Sequence, residues 1–174
     1  MNFEIRLANP EDQLALNRML ELYQHDLSDI WDQDMDCHGA YGYQTDSYFC
    51  GKTDKKAFVF LVDTKYAGVA LVNTQCRLKE NEWWMSQFFV VKKYRRRGVG
   101  ELAARHIFDH IHGKWEVGQL KGNDQGLKFW TKTISRYTND AYTARNHSDE
   151  DFTGTLQWFD NTRATSSPTY PLSH

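Results

Sequence analysis

Apolar and polar positions alternate over residues 3–7 (Phe-Glu-Ile-Arg-Leu), the period of a half-buried strand. Asn9-Pro10-Glu11-Asp12 follows, offering a capping residue, a proline suited to a first helical position, and acids for a first turn. Leu14, Leu16, Met19, Leu20 and Tyr23 then form an apolar stripe that predicts a helix out to about Gln24. Residues 25–47 hold no clean period and are rich in Asp, Gly and Tyr, with a second short helix predicted near Asp46–Cys50. Strands are predicted at Ala57–Val62 and Ala67–Thr74, joined by a turn at Asp63-Thr64-Lys65. After a charged loop around Lys79–Asn81, Glu82–Val91 is long and largely apolar, as a central strand buried on both faces would be.

Gly98–His112 predicts a helix with Val99, Leu102, Ala103, Ile107 and Ile111 on one face, and Gly113 stands where a C′ residue is wanted. Trp115–Leu120 predicts a strand, and Asn123–Ile134 a helix with Leu127, Trp130 and Ile134 in phase. Tyr137–Asp160 holds two further strands, the better marked being Thr153–Phe159. Early antiparallel strands and late crossover helices predict an α+β fold around a mixed, mostly antiparallel central sheet flanked by helices. One domain is expected over residues 1–161, with residues 162–174 a mobile tail rich in Ser, Thr and Pro.

Composition narrows the function. The 174 residues are enough to bury a sizeable core. A net charge of −2 argues against coating nucleic acid by bulk electrostatics, and the short basic patch at 92–97 is a thin footprint for RNA. Cys37, Cys50 and Cys76 are odd in number and lack metal-like spacing, which suits reduced thiols in a cytoplasmic protein. No apolar leader and no run near membrane-spanning length is present, so no membrane partner is expected. His106 and His110 stand four apart on a predicted helix, but no third ligand at fixed spacing supports a metal site, and none is expected.

The most informative stretch is Val90-Val91-Lys92-Lys93-Tyr94-Arg95-Arg96-Arg97-Gly98-Val99-Gly100. An apolar strand runs into a turn in which five of the six residues 92–97 are Lys or Arg, and a helix follows at once. The first turn of a helix presents backbone N–H groups without internal partners, and glycines let an anion approach them closely. On these residues alone the pattern reads either as a seat for a diphosphate or as a solvated basic turn whose glycines serve only geometry. A Walker A loop is excluded because Glu101 follows Gly100. A dinucleotide fold is disfavoured by the preceding antiparallel strands and by Leu120-Lys121 where an acid should end the next strand.

Arg95-x-x-Gly98-x-Gly100 after this strand resembles the acyl-CoA-binding motif of the GNAT N-acetyltransferase superfamily. Asn123, Phe129 and Trp130 fall where that family has an Asn followed by an aromatic pair, and residues 88–137 resemble a bacterial subgroup of it. The resemblance implies splayed fourth and fifth strands, with pantetheine pairing against Phe88, Phe89 and Val90 and a backbone N–H there facing the thioester oxygen. It implies diphosphate binding by Arg95, Arg96, Arg97, Gly98, Val99 and Gly100, and contact of Asn123 with the pantetheine arm. The implied activity is direct transfer of an acetyl group from acetyl-CoA, as co-substrate, to an amine on a small molecule or peptide. A homodimer is common in such proteins. The alternative is a non-catalytic CoA-binding sensor or interaction module of the same fold.

The catalytic groups depart from the family pattern. Many members carry a Tyr general acid seven residues after the Asn, and here that position is Trp130, expected as a core or pocket-wall residue. Tyr137 is the replacement candidate. Glu82 and Ser86 are the base candidates, directly or through water, since Gln87 cannot act as a base. His25, Asp26, Asp29, Asp32, Asp34, Asp36 and His38, mixed with Tyr23, Trp31, Tyr41, Tyr43 and Tyr48, read either as a solvated acidic loop or as the wall of a pocket for a cationic amine, the solvated loop being the simpler reading.

Overall fold

The computed structural model describes residues 2–162, so the tail expected from Thr162 lies, beyond Thr162 itself, outside the described residues. Seven strands form one sheet in the order β1-β2-β3-β4-β5-β7-β6. They are β1 (Phe3–Leu7), β2 (Lys55–Val62), β3 (Lys65–Asn73), β4 (Trp83–Val90), β5 (Lys114–Leu120), β6 (Thr143–Ser148) and β7 (Thr153–Asp160). Every pairing is antiparallel except β4 with β5. Helix α1 (Gln13–Trp31) covers one face, while α2 (Val99–His110) and α3 (Asp124–Thr138) cover the other.

The unbroken apolar runs of β2 and β3 follow from this sandwich. Phe58, Phe60, Ala70 and Val72 pack toward Ala103, Ala104, Ile107 and Phe108 of α2, and Val59, Val69 and Leu71 pack toward Leu16, Met19 and Leu20 of α1. Leu16 and Leu20 are fully buried, and each contributes roughly 1.5–3 kcal/mol of transfer free energy. The Asn9 signal works as expected: its side chain accepts from the Glu11 amide, and Asp12 Oδ2 accepts from the Asn9 amide at 2.8 Å.

Three expectations are corrected. Helix α1 runs seven residues past Gln24, to Trp31, and ends at Asp32 in the left-handed conformation (φ 50°). The apolar period fades there because its last turns are held by tertiary contacts. Strand β4 is not buried on both faces, since only Met85 and Phe89 within it are fully covered. Helix α2 ends at Ile111 in extended conformation, and any side chain on Gly113 would strike Glu82 Oε2 and the Trp83 ring.

Candidate active site

Strands β4 and β5 pair only through Trp83–Trp115 and Trp84–Glu116. Beyond those pairs β4 continues to Val90 and β5 to Leu120 without joining, so the sheet opens into a cleft. Side chains fill both flanks of the divergence. The Trp84 indole lies over Gly118 where a Cβ would collide, and on the other face Phe88 stacks on Phe129 (5.6 Å) and meets the edge of Trp130 (4.9 Å). An extra residue on β4, Ser86, makes a bulge against β3, where Leu71 pairs with Gln87 and Val72 with Met85.

The open edge has usable main-chain groups. The Val91 amide donates to Ala67 O at 2.9 Å, so strand alternation turns the amides of Val90 and Phe88 away from β3 and into the cleft. Phe89 instead points its side chain to α1 and packs against Tyr23 at 5.8 Å.

The basic turn is built from the residues that close the cleft at its wide end. A 3-10 turn at Lys92–Tyr94 buries the Tyr94 ring, Arg96 takes φ 61°, and Gly98 takes φ 81°, a value that favours glycine. Leu102 is the first residue to donate into α2, to Gly98 O at 3.0 Å, so the amides of Val99, Gly100 and Glu101 have no intrahelical partner. Gly98 supplies no capping side chain. A Cβ on Gly100 would sit 3.1 Å from Phe129 Cε2, so this glycine lets α2 approach α3. Arg96 and Arg97 are exposed beside these amides.

Arg95 is corrected. Its side chain is engaged inside the scaffold: Nε donates to Val90 O at 2.6 Å, Nη2 pairs with Asp26 Oδ2 at 2.6 Å, and the guanidinium lies over the Phe89 ring. Its amide donates to Lys92 O. Asp26 also receives Lys92 at 3.2 Å. Burial would raise the Asp26 pKa, but the bonds from Arg95 and Lys92 outweigh it and hold the carboxyl below its ordinary value. Asp26 is thus the counterion of the basic turn and not part of an acceptor wall.

The catalytic candidates are scattered. Ser86 sits at the bulge, close to the Tyr48 phenol. Glu82 lies four residues upstream, exposed, at the closed end of the β4–β5 pair, with Oε2 accepting from the Lys114 amide at 2.8 Å. Tyr137 is corrected: it packs between Phe108 and Phe159 at the far end of α3 and donates to Asp109 Oδ1 at 2.9 Å. Burial pushes its pKa up to about 12, and its partners belong to α2 and β7 rather than to the cleft. Asn123 caps α3, with Oδ1 accepting from the Gly126 amide at 2.9 Å. Trp130 is a core residue among Phe88, Phe108 and Phe129.

The segment after α1 is a solvated acidic loop and not an acidic wall. Asp29, Asp32, Asp34 and Asp36 are all exposed, and Asp36 forms a turn by accepting from the His38 and Ala40 amides. The wall facing the bulge is made of Tyr43 and Tyr48 from this segment and Tyr23 from α1. Their placement depends on a polar stripe that sequence reading missed. Gln13 bonds Asp46, Asn17 accepts from Thr45, Glu21 accepts from the amides of Tyr41 and Tyr43, and His25 meets the Tyr41 hydroxyl. The signal was present as four polar residues at i+4 spacing along α1. Among the described residues no group of three His, Cys, Asp or Glu side chains is arranged to hold a metal, and no helix is long and apolar enough to cross a membrane.

The model of the acetyltransferase (GNAT) family matches residues 16–134. No curated protein is significantly similar in sequence. Solved structures share the fold at low identity. A Thermus thermophilus acetyltransferase is 12% identical with a TM-score of 0.64, covering 92% of this chain and 97% of that one. A Corynebacterium glutamicum protein described as histone acetyltransferase HPA2 and related acetyltransferase is 15% identical with a TM-score of 0.64, covering 98% and 100%. A Bacillus anthracis protein, provisionally assigned as a streptothricin acetyltransferase and solved with acetyl coenzyme A, is 12% identical with a TM-score of 0.59, covering 92% and 99%.

Proposed function

The chain belongs to the acetyltransferase (GNAT) family, and on that premise we propose that it is an N-acetyltransferase that moves the acetyl group of acetyl-CoA directly to an amine. The observation that carries the reading is the open edge of β4 lying beside the unpartnered amides that begin α2. Such an edge suits the amide-bearing pantetheine arm, which pairs as an added strand would. The amides of Val99, Gly100 and Glu101, with Arg96 and Arg97 alongside, suit the diphosphate. Asp26 and Arg95 act on this site by holding the turn's shape. The solved relative with acetyl coenzyme A supports the choice of donor.

When bound, acetyl-CoA supplies an activated acyl carbon and a leaving thiol of pKa about 8.5, which departs with little acid assistance. The chain's own contribution is placement. The cleft-facing amide of Phe88 or Val90 is positioned to donate to the developing oxyanion. Ser86 stands at the bulge where the acceptor side meets the donor side.

A CoA-binding sensor is the second reading, favoured by Trp130 at the usual position of the acid and by the engagement of Tyr137 with Asp109. Calorimetry with acetyl-CoA tests the shared part. Gly98→Asp forces a carboxylate and a strained φ into the seat and is expected to weaken binding at least about tenfold, with circular dichroism unchanged. Unaltered affinity would remove the diphosphate seat. Thiol release across an amine panel then separates transferase from sensor.

A further inference from the structure

On the α1 side of the bulge the polar groups are numerous and almost none is ionised. The Tyr48 hydroxyl accepts from Asn73 Nδ2 at 3.2 Å and lies close enough to Ser86 to feel it. Gln87 Oε1 is buried and without a hydrogen-bond partner, and the Gln87 side chain lies close enough to Tyr43 to act on its phenol. Tyr43 lies near enough to Tyr23 and Tyr48 to feel both hydroxyls. Burial raises the pKa of all three phenols, that of Tyr23 to about 12, so all stay protonated near neutral pH and none is a ready proton acceptor.

Charged groups approach this wall only from outside or are already engaged. Lys55 lies over the Tyr48 ring at 5.4 Å and bonds Ser47. Asp54 is exposed and is felt weakly at Tyr48. Both oxygens of Glu21 hold backbone amides, Asp26 is paired with Arg95 and Lys92, and Asp46 accepts from Gln13. His25 is exposed, and its ring meets the Tyr41 hydroxyl at 3.5 Å. Among the described residues, an ammonium placed here would lose its hydration without gaining an unengaged carboxylate or a buried base for its proton.

Given the transferase reading, we infer that the acceptor is a weakly basic amine, uncharged at neutral pH, of the arylamine or hydrazide class, which donates an N–H to Gln87 Oε1 against the tyrosine wall. The nitrogen lone pair attacks the thioester carbon, the C–N bond forms and the C–S bond breaks. The sulfur leaves with its electron pair, and the proton shed by the nitrogen passes to the thiolate or to solvent, giving amide and free thiol. A lysine-like amine, with a pKa near ~10.4, is uncharged in only roughly one molecule in 2,500 at pH 7, and this wall has no means of raising that fraction.

The test is thiol release by the wild-type protein with acetyl-CoA and three acceptors of similar shape: a substituted aniline, a benzoic hydrazide and benzylamine, from pH 6 to 9. The expected kcat/KM at pH 7 favours the aniline and the hydrazide several-fold, the small uncharged fraction of the alkylamine outweighing its greater intrinsic nucleophilicity. The benzylamine profile rises about tenfold per pH unit, whereas the aniline profile is flat. Preference for benzylamine at pH 7, or one profile common to all acceptors, overturns the inference and leaves the transferase reading standing. Release with none of them at any pH, while acetyl-CoA still binds by calorimetry, removes the transferase reading itself. Gln87→Glu places a carboxylate on the wall and is expected to shift the benzylamine-to-aniline ratio by at least about tenfold. An unchanged ratio shows that Gln87 does not face the acceptor.

Discussion

Arg95 illustrates how a residue's chemistry is decided by its neighbours. A guanidinium next to a glycine turn suggests a phosphate ligand, yet Asp26 and the Val90 carbonyl take both ends of it. Asp12 is a second case. Read from the chain it is an acid suited to a helix's first turn, but it is nearly fully buried, where it receives two bonds from Arg6, one from Tyr66 at 2.6 Å and one from the Asn9 amide. The Arg6 bond first, with Tyr66 and Asn9 outweighing burial, lowers its pKa to about 2. A carboxyl depressed in the folded state stabilises the protein above its unfolded pKa of about 3.9 and loses that contribution as pH falls through the folded value. Asp12→Asn should therefore lose roughly 2 kcal/mol in urea unfolding at pH 7, and show less further loss than wild type between about pH 5 and pH 2. Parallel curves for the two proteins across that range would show that the cluster does not hold the charge.

At the scale of elements, α1 does three jobs on three faces. Its apolar face covers the sheet, Asp26 anchors the basic turn, and the stripe from Gln13 to His25 aligns the tyrosine segment. Glu21 is the strongest point of that stripe, since a hydrogen bond to a charged acceptor is worth about 1.5–3 kcal/mol net of exchange with water, and Glu21 holds two backbone amides. Glu21→Ala should raise KM for the amine several-fold and speed hydrogen exchange at Tyr41 and Tyr43, with acetyl-CoA affinity unchanged. Equal loss of both affinities would mean that the segment also shapes the donor side. Strand β4 makes the complementary point. Its apolar run suggested burial on both faces, but an apolar run also suits a strand whose edge and flank border a cleft lined by Phe88, Phe129 and Trp130.

For the whole molecule, the parting of β4 from β5 organises everything else. The bulge at Ser86 falls between the closed end of the β4–β5 pair at Trp84 and its open end at Val90, where the proposed donor and acceptor sides would meet. Addition of acetyl-CoA should slow hydrogen exchange at the amides of Phe88 and Val90 while leaving β2 unchanged. Slowing confined to β6 and β7 would put the ligand elsewhere. The element order, the antiparallel first half of the sheet and the glycine turn at 98–100 were legible in the chain, because period, turn residues and helix-start chemistry are local properties. Position by itself did not reveal that Glu82 holds the Lys114 amide, that Tyr137 faces Asp109, or that Asp26 pairs with Arg95. Those outcomes depend on which distant side chain arrives within bonding distance, and on how much water each carboxylate keeps. The chain by itself determined where an anion could be seated. Only tertiary packing decided that Tyr23, Tyr43 and Tyr48 would gather near Gln87 on the α1 side of β4, because the contacts that hold them join segments far apart in the chain.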